Sequence, residues 1–343
     1  MLEQHTIGAK HISMRRYNAA IVFPFPQREG AGVRFMRCSV RLPTDRVDLG
    51  TEFVSSDGVM EVAKAAEAAG FDAVHVTDHP APYDEWLRTG GHQALDPFVA
   101  LSFAAAATTR LRLLTHIYVL PYRNPLLSAR SVASIDALSK GRFLFGLAAG
   151  YLEAEFAALG VDFAERNELT DEAIRVMKAM WTQDGVHFKG KHFTADGHTI
   201  RPRPVQKPHP PIWVGGNSKI AIRRAVELCD GWMPFPNNAK GIKRRHTPPM
   251  ETPGELKRGV AYAHEHAKAV SRKEPLDIIV TIMTSLNAIS TPKFSAQAVV
   301  EHIAQLKAAG ATYMVLGLPG ESRKQLLKNV DLFGHDVLSR LPK

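Results

Sequence analysis

The sequence predicts a (β/α)8 barrel, a TIM barrel with insertions, and three observations predict it. Eight short runs, most of them apolar, recur along the chain, and they alternate with segments of helical spacing. Polar, aromatic and glycine residues gather just after the runs. Continuous apolar runs mark strands covered on both faces, which means a parallel sheet between helices. Eight such units most simply close on themselves. The competing arrangement is an open doubly wound sheet, and it lacks the G-x-G-x-x-G expected after its first strand. A chain of 343 residues, 45% hydrophobic and 22% charged, can bury a core of this size.

Residues 1–35 mix His, Arg, Pro and Gly without sustained periodicity and predict a poorly ordered tail. A single domain is expected over 36–343, with Met36 near its start. The first strand is RCSVRL over 37–42. Asp57 suits the cap of a helix that carries Val59, Val62, Ala66 and Ala69 on one face and stops at Gly70. The second strand is FDAVHVT over 71–77. Asp96-Pro97 opens a helix to about 109, and the third strand spans 111–119. Asn124 and Pro125 supply a cap and a first-position proline, and Gly141 closes that helix. The fourth strand covers 142–148. A helix over 167–181 turns Leu169, Ala173, Val176, Met177 and Met180 to one side. VHF and HFT, joined by KGK, form a hairpin insertion near 186–194. The fifth strand is 211–214 and the sixth 231–233. A long, basic, proline-containing loop occupies about 235–254, and the seventh and eighth strands are 278–286 and 312–318.

The stretch Val214-Gly215-Gly216-Asn217-Ser218 ends a strand in two glycines and opens a helix over 219–228. Free N–H groups at such a junction, backed by the helix dipole, can hold a phosphate. A tight turn without a ligand accounts for the same residues. The net charge of +9 points to anionic partners. Basic residues are nevertheless spread out, with one cluster at Lys240, Lys243, Arg244, Arg245 and His246, so nucleic acid is not expected as a partner. No apolar run reaches the roughly 18 residues of a membrane span. The run 19–25 is broken by Pro24 and makes no signal sequence. Cys38 and Cys229 read as buried, reduced thiols of a cytoplasmic protein. His187, His192 and His198 lie in the hairpin with no carboxylate or cysteine at ligand spacing, so no metal is expected.

The order FDAVHVTDH, then LRLLTHIYVLPYRNP through GRFLFGLAAGYLEAEFAALGVDF, then RPRPVQKPHPPIWVGGNS and CDGWMPFP, resembles the luciferase-like monooxygenase superfamily, and within it the coenzyme F420-dependent oxidoreductases. The resemblance covers about 36–343. It implies a barrel that binds F420, or alternatively FMN, at the carboxyl-terminal mouth. The ring would lie against Thr115, His116 and Ile117, with a cis peptide at His116-Ile117. The phosphate would sit on Val214, Gly215, Gly216, Asn217 and Ser218, and Gly150 would let the cofactor pass close to the chain. His79 stands where related dehydrogenases carry a histidine beside the deazaflavin, and a histidine there can exchange a proton while hydride moves. Asp78 would fix its tautomer or else point into structure.

Tyr151 replaces the acidic residue of the sugar-phosphate dehydrogenase relatives. It would shape the substrate pocket or else only pack, and a hexose phosphate is not expected as substrate. Glu153 and Glu155 read as a solvated helix start, His75 as a core histidine, and Gly90-Gly91-His92 as a loop. Lys219, Arg223 and Arg224, with 240–245, fit either a polyglutamate tail or a solvated charged face. The expected activity is hydride transfer between F420 and a small organic substrate by a homodimer. An FMN-dependent, O2-using monooxygenase and a non-catalytic cofactor-binding protein are the alternatives.

Overall fold

The computed structural model describes residues 36–238, 241, 245–282 and 284–341. The predicted tail over 1–35, and Lys240, Lys243 and Arg244 of the basic cluster, lie outside them. The sheet strands in chain order are β1 (Arg37–Arg41), β2 (Ala73–Val76), β3 (Arg112–Thr115), β4 (Tyr118–Val119) and β5 (Phe143–Ala148). The antiparallel pair β6 (Val186–Lys189) and β7 (Thr194–His198) stands apart from them. Then follow β8 (Ile212–Gly215), β9 (Gly231–Met233), β10 (Asp277–Thr281) and β11 (Tyr313–Leu316). All pairings in the main sheet are parallel, in the order β3-β2-β1-β11-β10-β9-β8-β5-β4, and β3 also pairs with β5. That last pairing closes the barrel. β3 and β4 are the two halves of the third barrel strand, so eight strands surround the axis, as the eight apolar runs predict.

Alternation along each strand sorts the core into two layers. Ala73, Leu114, Leu144, Trp213, Met233, Ile279, Tyr313 and Val315 fill the barrel. Cys38, Val40, Val74, Leu113, Phe145, Val214 and Met314 face outward into the larger cluster under the helices. Arg142 is buried at the amino-terminal end of β5. Its guanidinium donates to the carbonyls of Ala105, Leu111 and Ser139, which satisfies groups that helix ends and loops leave open.

The caps follow the sequence with one change. The first helix, α1 (Ser56–Ala68), is capped by Ser55, whose side chain accepts from Gly58 N–H, while Asp57 lies inside the first turn. Asp96 caps α3 (Pro97–Ala107), which follows the short α2 (Asp84–Arg88). Asn124 caps α4 (Pro125–Leu138). Beyond α5 (Glu153–Ala158) and α6 (Arg166–Thr182), Ser218 caps α7 (Lys219–Leu228). The hairpin's second strand begins at Thr194, not at 192. The Glu172 carboxylate takes the N–H groups of Lys191, His192 and Phe193, and so removes them from pairing. The seventh barrel strand ends at Thr281, five residues before its apolar pattern does. The long loop is pinned by a bridge between Asn237 and Met250 and gives way at Thr252 to a capping box and the helix Pro253–Ala269.

Candidate functional site

The third barrel strand breaks at its carboxyl end, and the break shapes the mouth. The His116-Ile117 peptide is cis. Before it, the Thr115 hydroxyl donates to the Gly146 carbonyl at 2.7 Å. Position 146 must be glycine, because a Cβ there would lie 2.0 Å from the Thr115 carbonyl oxygen. After it, Ile117 reaches across to β8, where a Cβ on Gly215 would fall 2.4 Å from Ile117 Cδ1. Gly215 thus makes room for a side chain of this protein. His116 meets His75 edge-on at 4.9 Å, and His75 Nδ1 bonds the Ser39 hydroxyl at 2.9 Å. Burial, then the Arg41 charge, holds the His116 imidazole down to about 4. Burial, His116 and Arg41 hold His75 well below the usual range. Arg41 acts on His92 as well, so one cation serves three histidines. It ends β1 and pairs with Asp45 at 3.2 Å.

His79 forms the adjoining wall. Its ring is buried against Trp86 at 4.5 Å and His92 at 4.8 Å, with Tyr151 at 6.3 Å. Gly91 lets Trp86 pack this closely, since a Cβ there would meet the indole at 2.3 Å. His79 Nδ1 lies 3.2 Å from Glu155 Oε2. Glu155 is fully buried, contrary to the solvated helix start that its charge suggests. It accepts from Ala81 N–H at 3.1 Å and from the Tyr122 hydroxyl at 2.9 Å. Burial, then the Glu155 charge, pushes the Tyr122 phenol up. Asp78 points the other way. Its carboxylate takes both Arg123 nitrogens, at 2.7 and 3.0 Å, and Val119 N–H at 3.0 Å. It fastens β4 and does not orient His79. Gly150 has φ +82°, and a Cβ there would collide with Val119 and Phe156, so packing within the protein already requires this glycine.

The junction after β8 is partly consumed by the protein itself. Val214 faces the helices. Gly216 N–H bonds Met233 O, Asn217 N–H bonds Thr247 Oγ1 at 2.8 Å, and the Asn217 amide joins Phe235 to Pro248. Gly216 has φ +119°, which favours glycine. Among the described residues, the N–H groups of Ser218, Lys219 and Ile220, at the start of α7, have no hydrogen-bond partner. Of the basic residues there, Arg224 is buried against Asp171 and Asn167, Arg223 bonds the Tyr262 hydroxyl, and Lys219 lies over the Tyr262 ring. Arg245 donates to Asn237.

The hairpin histidines do gain carboxylates through the fold. Glu165, Glu168 and His192 lie within 4.8 Å of one another. The Lys191 ammonium sits between the two carboxylates, at 3.0 and 2.7 Å, and supplies the cation that the group would otherwise seek. His187 pairs with Asp196. Sequence reading missed Glu155 and Arg41. An acid four residues into the short segment after a strand-end turn, and a cation ending the first strand, were the signals.

The family model described as luciferase-like monooxygenase fits residues 36–291. The chain belongs to that family. An FMNH(2)-dependent dimethylsulfone monooxygenase of Pseudomonas putida is 32% identical over 188 residues, 53% of this chain and 50% of the relative. The chain thus matches about half the length of that curated relative. The crystal structure of monooxygenase RslO1 from Streptomyces bottropensis superposes with a TM-score of 0.72 at 20% identity, covering 89% of this chain and 99% of the other. An F420-dependent secondary alcohol dehydrogenase, solved with an F420-acetone adduct, gives 0.70 at 19% identity with the same coverage. At such identities these structures speak for the shared luciferase-like fold. No helix among the described residues is long and apolar enough to cross a membrane.

Proposed function

We propose that this chain is an oxidoreductase that moves a hydride between coenzyme F420 and a small organic substrate at the carboxyl-terminal mouth, with His79 exchanging the accompanying proton. The observation that carries the reading is the pairing of His79 with Glu155 beside an interrupted third strand. A buried imidazole with one nitrogen committed to a carboxylate is a group arranged for proton exchange. The residues present fit a cofactor of this kind. Half-buried His116 and Ile117 offer an edge for a flat ring, and the open N–H groups at the start of α7 offer a seat for a phosphate. Bound there, the deazaflavin supplies the hydride chemistry, while the protein binds, orients and excludes water. Tyr151, against His79, borders the substrate space.

A second reading is an FMN-dependent monooxygenase that uses O2. The dimethylsulfone monooxygenase relative favours it. Titration of the apo-protein with F420 and with FMN, followed by quenching of cofactor fluorescence, separates the two. Tight F420 binding beside weak FMN binding is the expected result, and the reverse order moves the reading to oxygen chemistry. Loss of turnover in His79→Ala, with cofactor affinity kept, is expected in either case. Full cofactor occupancy with unchanged turnover in that variant would remove His79 from the chemistry.

A further inference from the structure

We infer that Glu155 is the positioning residue that holds His79 with its proton on Nδ1, so that Nε2 is the nitrogen presented for proton exchange. This rests on the reading that His79 exchanges a proton, and it adds a residue that the sequence places on a solvated surface. The geometry is complete in itself. Three neighbours converge on one fully buried carboxyl group: Nδ1 of His79 and the Tyr122 hydroxyl at Oε2, and Ala81 N–H at Oε1. An ionised carboxylate offers only acceptors; Ala81 N–H and the Tyr122 hydroxyl already donate to it, and the Nδ1 contact at 3.2 Å is a hydrogen bond only with the proton on Nδ1. The proton between His79 and Glu155 therefore belongs to Nδ1, and the neutral ring carries its lone pair on Nε2. No hydrogen bond to Nε2 occurs among the described residues.

Rotation of the ring, which would exchange the two nitrogens, is opposed from three sides. Trp86 lies against one part of the ring, His92 meets it edge-on at 84°, and Tyr151 does so at 77°. Glu155 is held in turn. Ala81 N–H belongs to the segment that follows His79 directly, and Tyr122 packs edge-on against Phe156, the residue after Glu155, at 4.7 Å. The unit thus ties the end of β2 to α5 across the mouth and sets one tautomer.

A glutamine at 155 cannot serve all three donors. Its amide nitrogen faces either Ala81 N–H, or Nδ1 and the Tyr122 hydroxyl. The first sets two donors against each other, whereas Nδ1 and the Tyr122 oxygen can both accept, so the second orientation is the one adopted: there the amide donates to Nδ1 and drives the ring proton to Nε2. The test is long-range 1H–15N NMR of the full-length protein carrying ring-15N histidine, with the His79 signals assigned among the 15 histidines by their loss in His79→Gln. In the wild type, a pyrrole-type Nδ1 and a pyridine-type Nε2 are expected. Glu155→Gln should lose that pattern, giving the reverse or a mixture. Tyr122→Phe, which removes one donor and leaves the carboxylate, should keep it.

A wild-type proton on Nε2, or a Glu155→Gln spectrum that keeps the wild-type pattern, overturns the inference. If Glu155→Gln does not fold, the wild-type assignment decides alone. The proton role of His79 is tested apart from this by turnover of His79→Ala. Activity retained there ends that role and leaves the tautomer result standing.

Discussion

Gly146 shows how one residue carries the mouth of the barrel. Its missing Cβ lets the Thr115 carbonyl approach to a distance that no alanine permits, and Thr115 immediately precedes the His116-Ile117 break. Gly146→Ala must displace backbone and should cost about 3 kcal/mol. Gly254→Ala, whose Cβ would meet nothing nearer than 3.8 Å, should cost less than about 0.5 kcal/mol. Urea unfolding of the two variants measures the contrast. The histidines make a second prediction. His116 is held down to about 4 and His75 lies well below its usual range, so both are neutral in the folded protein near neutrality. The unfolded chain binds those protons from about pH 6.5 downward. It then holds more protons than the native state, and stability falls with falling pH. For His116 the loss spans about pH 6.5 to 4 and reaches at most about 3 kcal/mol. His116→Asn should flatten that limb of a stability-against-pH curve, and an unchanged slope would show that the imidazole is not held neutral.

Between elements, polar side chains do the joining, and sequence pattern is blind to most of them. Asn217 and Ser218 both suit a helix cap by residue type. Ser218 takes that task, and the Asn217 amide is spent on Phe235 and Pro248, 18 and 31 residues on. Asn217→Ala should leave α7 intact and release the loop over 235–250. A cost of about 1–3 kcal/mol follows from the buried partners left unpaired. Faster cleavage within that loop in limited proteolysis, with the barrel uncut, is the expected observation. Glu67 is a second case. Its Oε1 accepts the N–H groups of Thr109, Arg110 and Leu111 where the chain enters β3. In both cases the partner lies on another element, so spacing along the chain carries no trace of it. Local caps at Asp96 and Asn124 were legible because donor and acceptor lie within three residues.

At the scale of the molecule, a barrel sealed by β3 to β5 pairing has no open edge, and a ligand at its mouth touches residues from several strands. A cofactor that binds the folded state alone should therefore raise the stability of the whole domain. The gain is about 2.7 kcal/mol at a hundredfold excess over Kd. A thermal-unfolding series in F420 and in FMN reads this directly, and the cofactor used in catalysis should give the larger shift at equal concentration. Absence of a shift with either would detach the mouth from flavin-type ligands.

The sequence by itself determined the architecture, because eight buried strands and their covering helices must appear as eight apolar runs separated by helical period. It also placed the candidate residues at strand ends, where a barrel collects them. Only the tertiary structure decided which of them meet. Asp78 was drawn off to Arg123, Gly215 was filled by Ile117, and Glu155, a charge on paper, became the buried partner of His79. The reason is physical. Hydrophobic periodicity is a property of neighbouring residues, whereas a buried charge is stabilised by donors that come from anywhere in the fold.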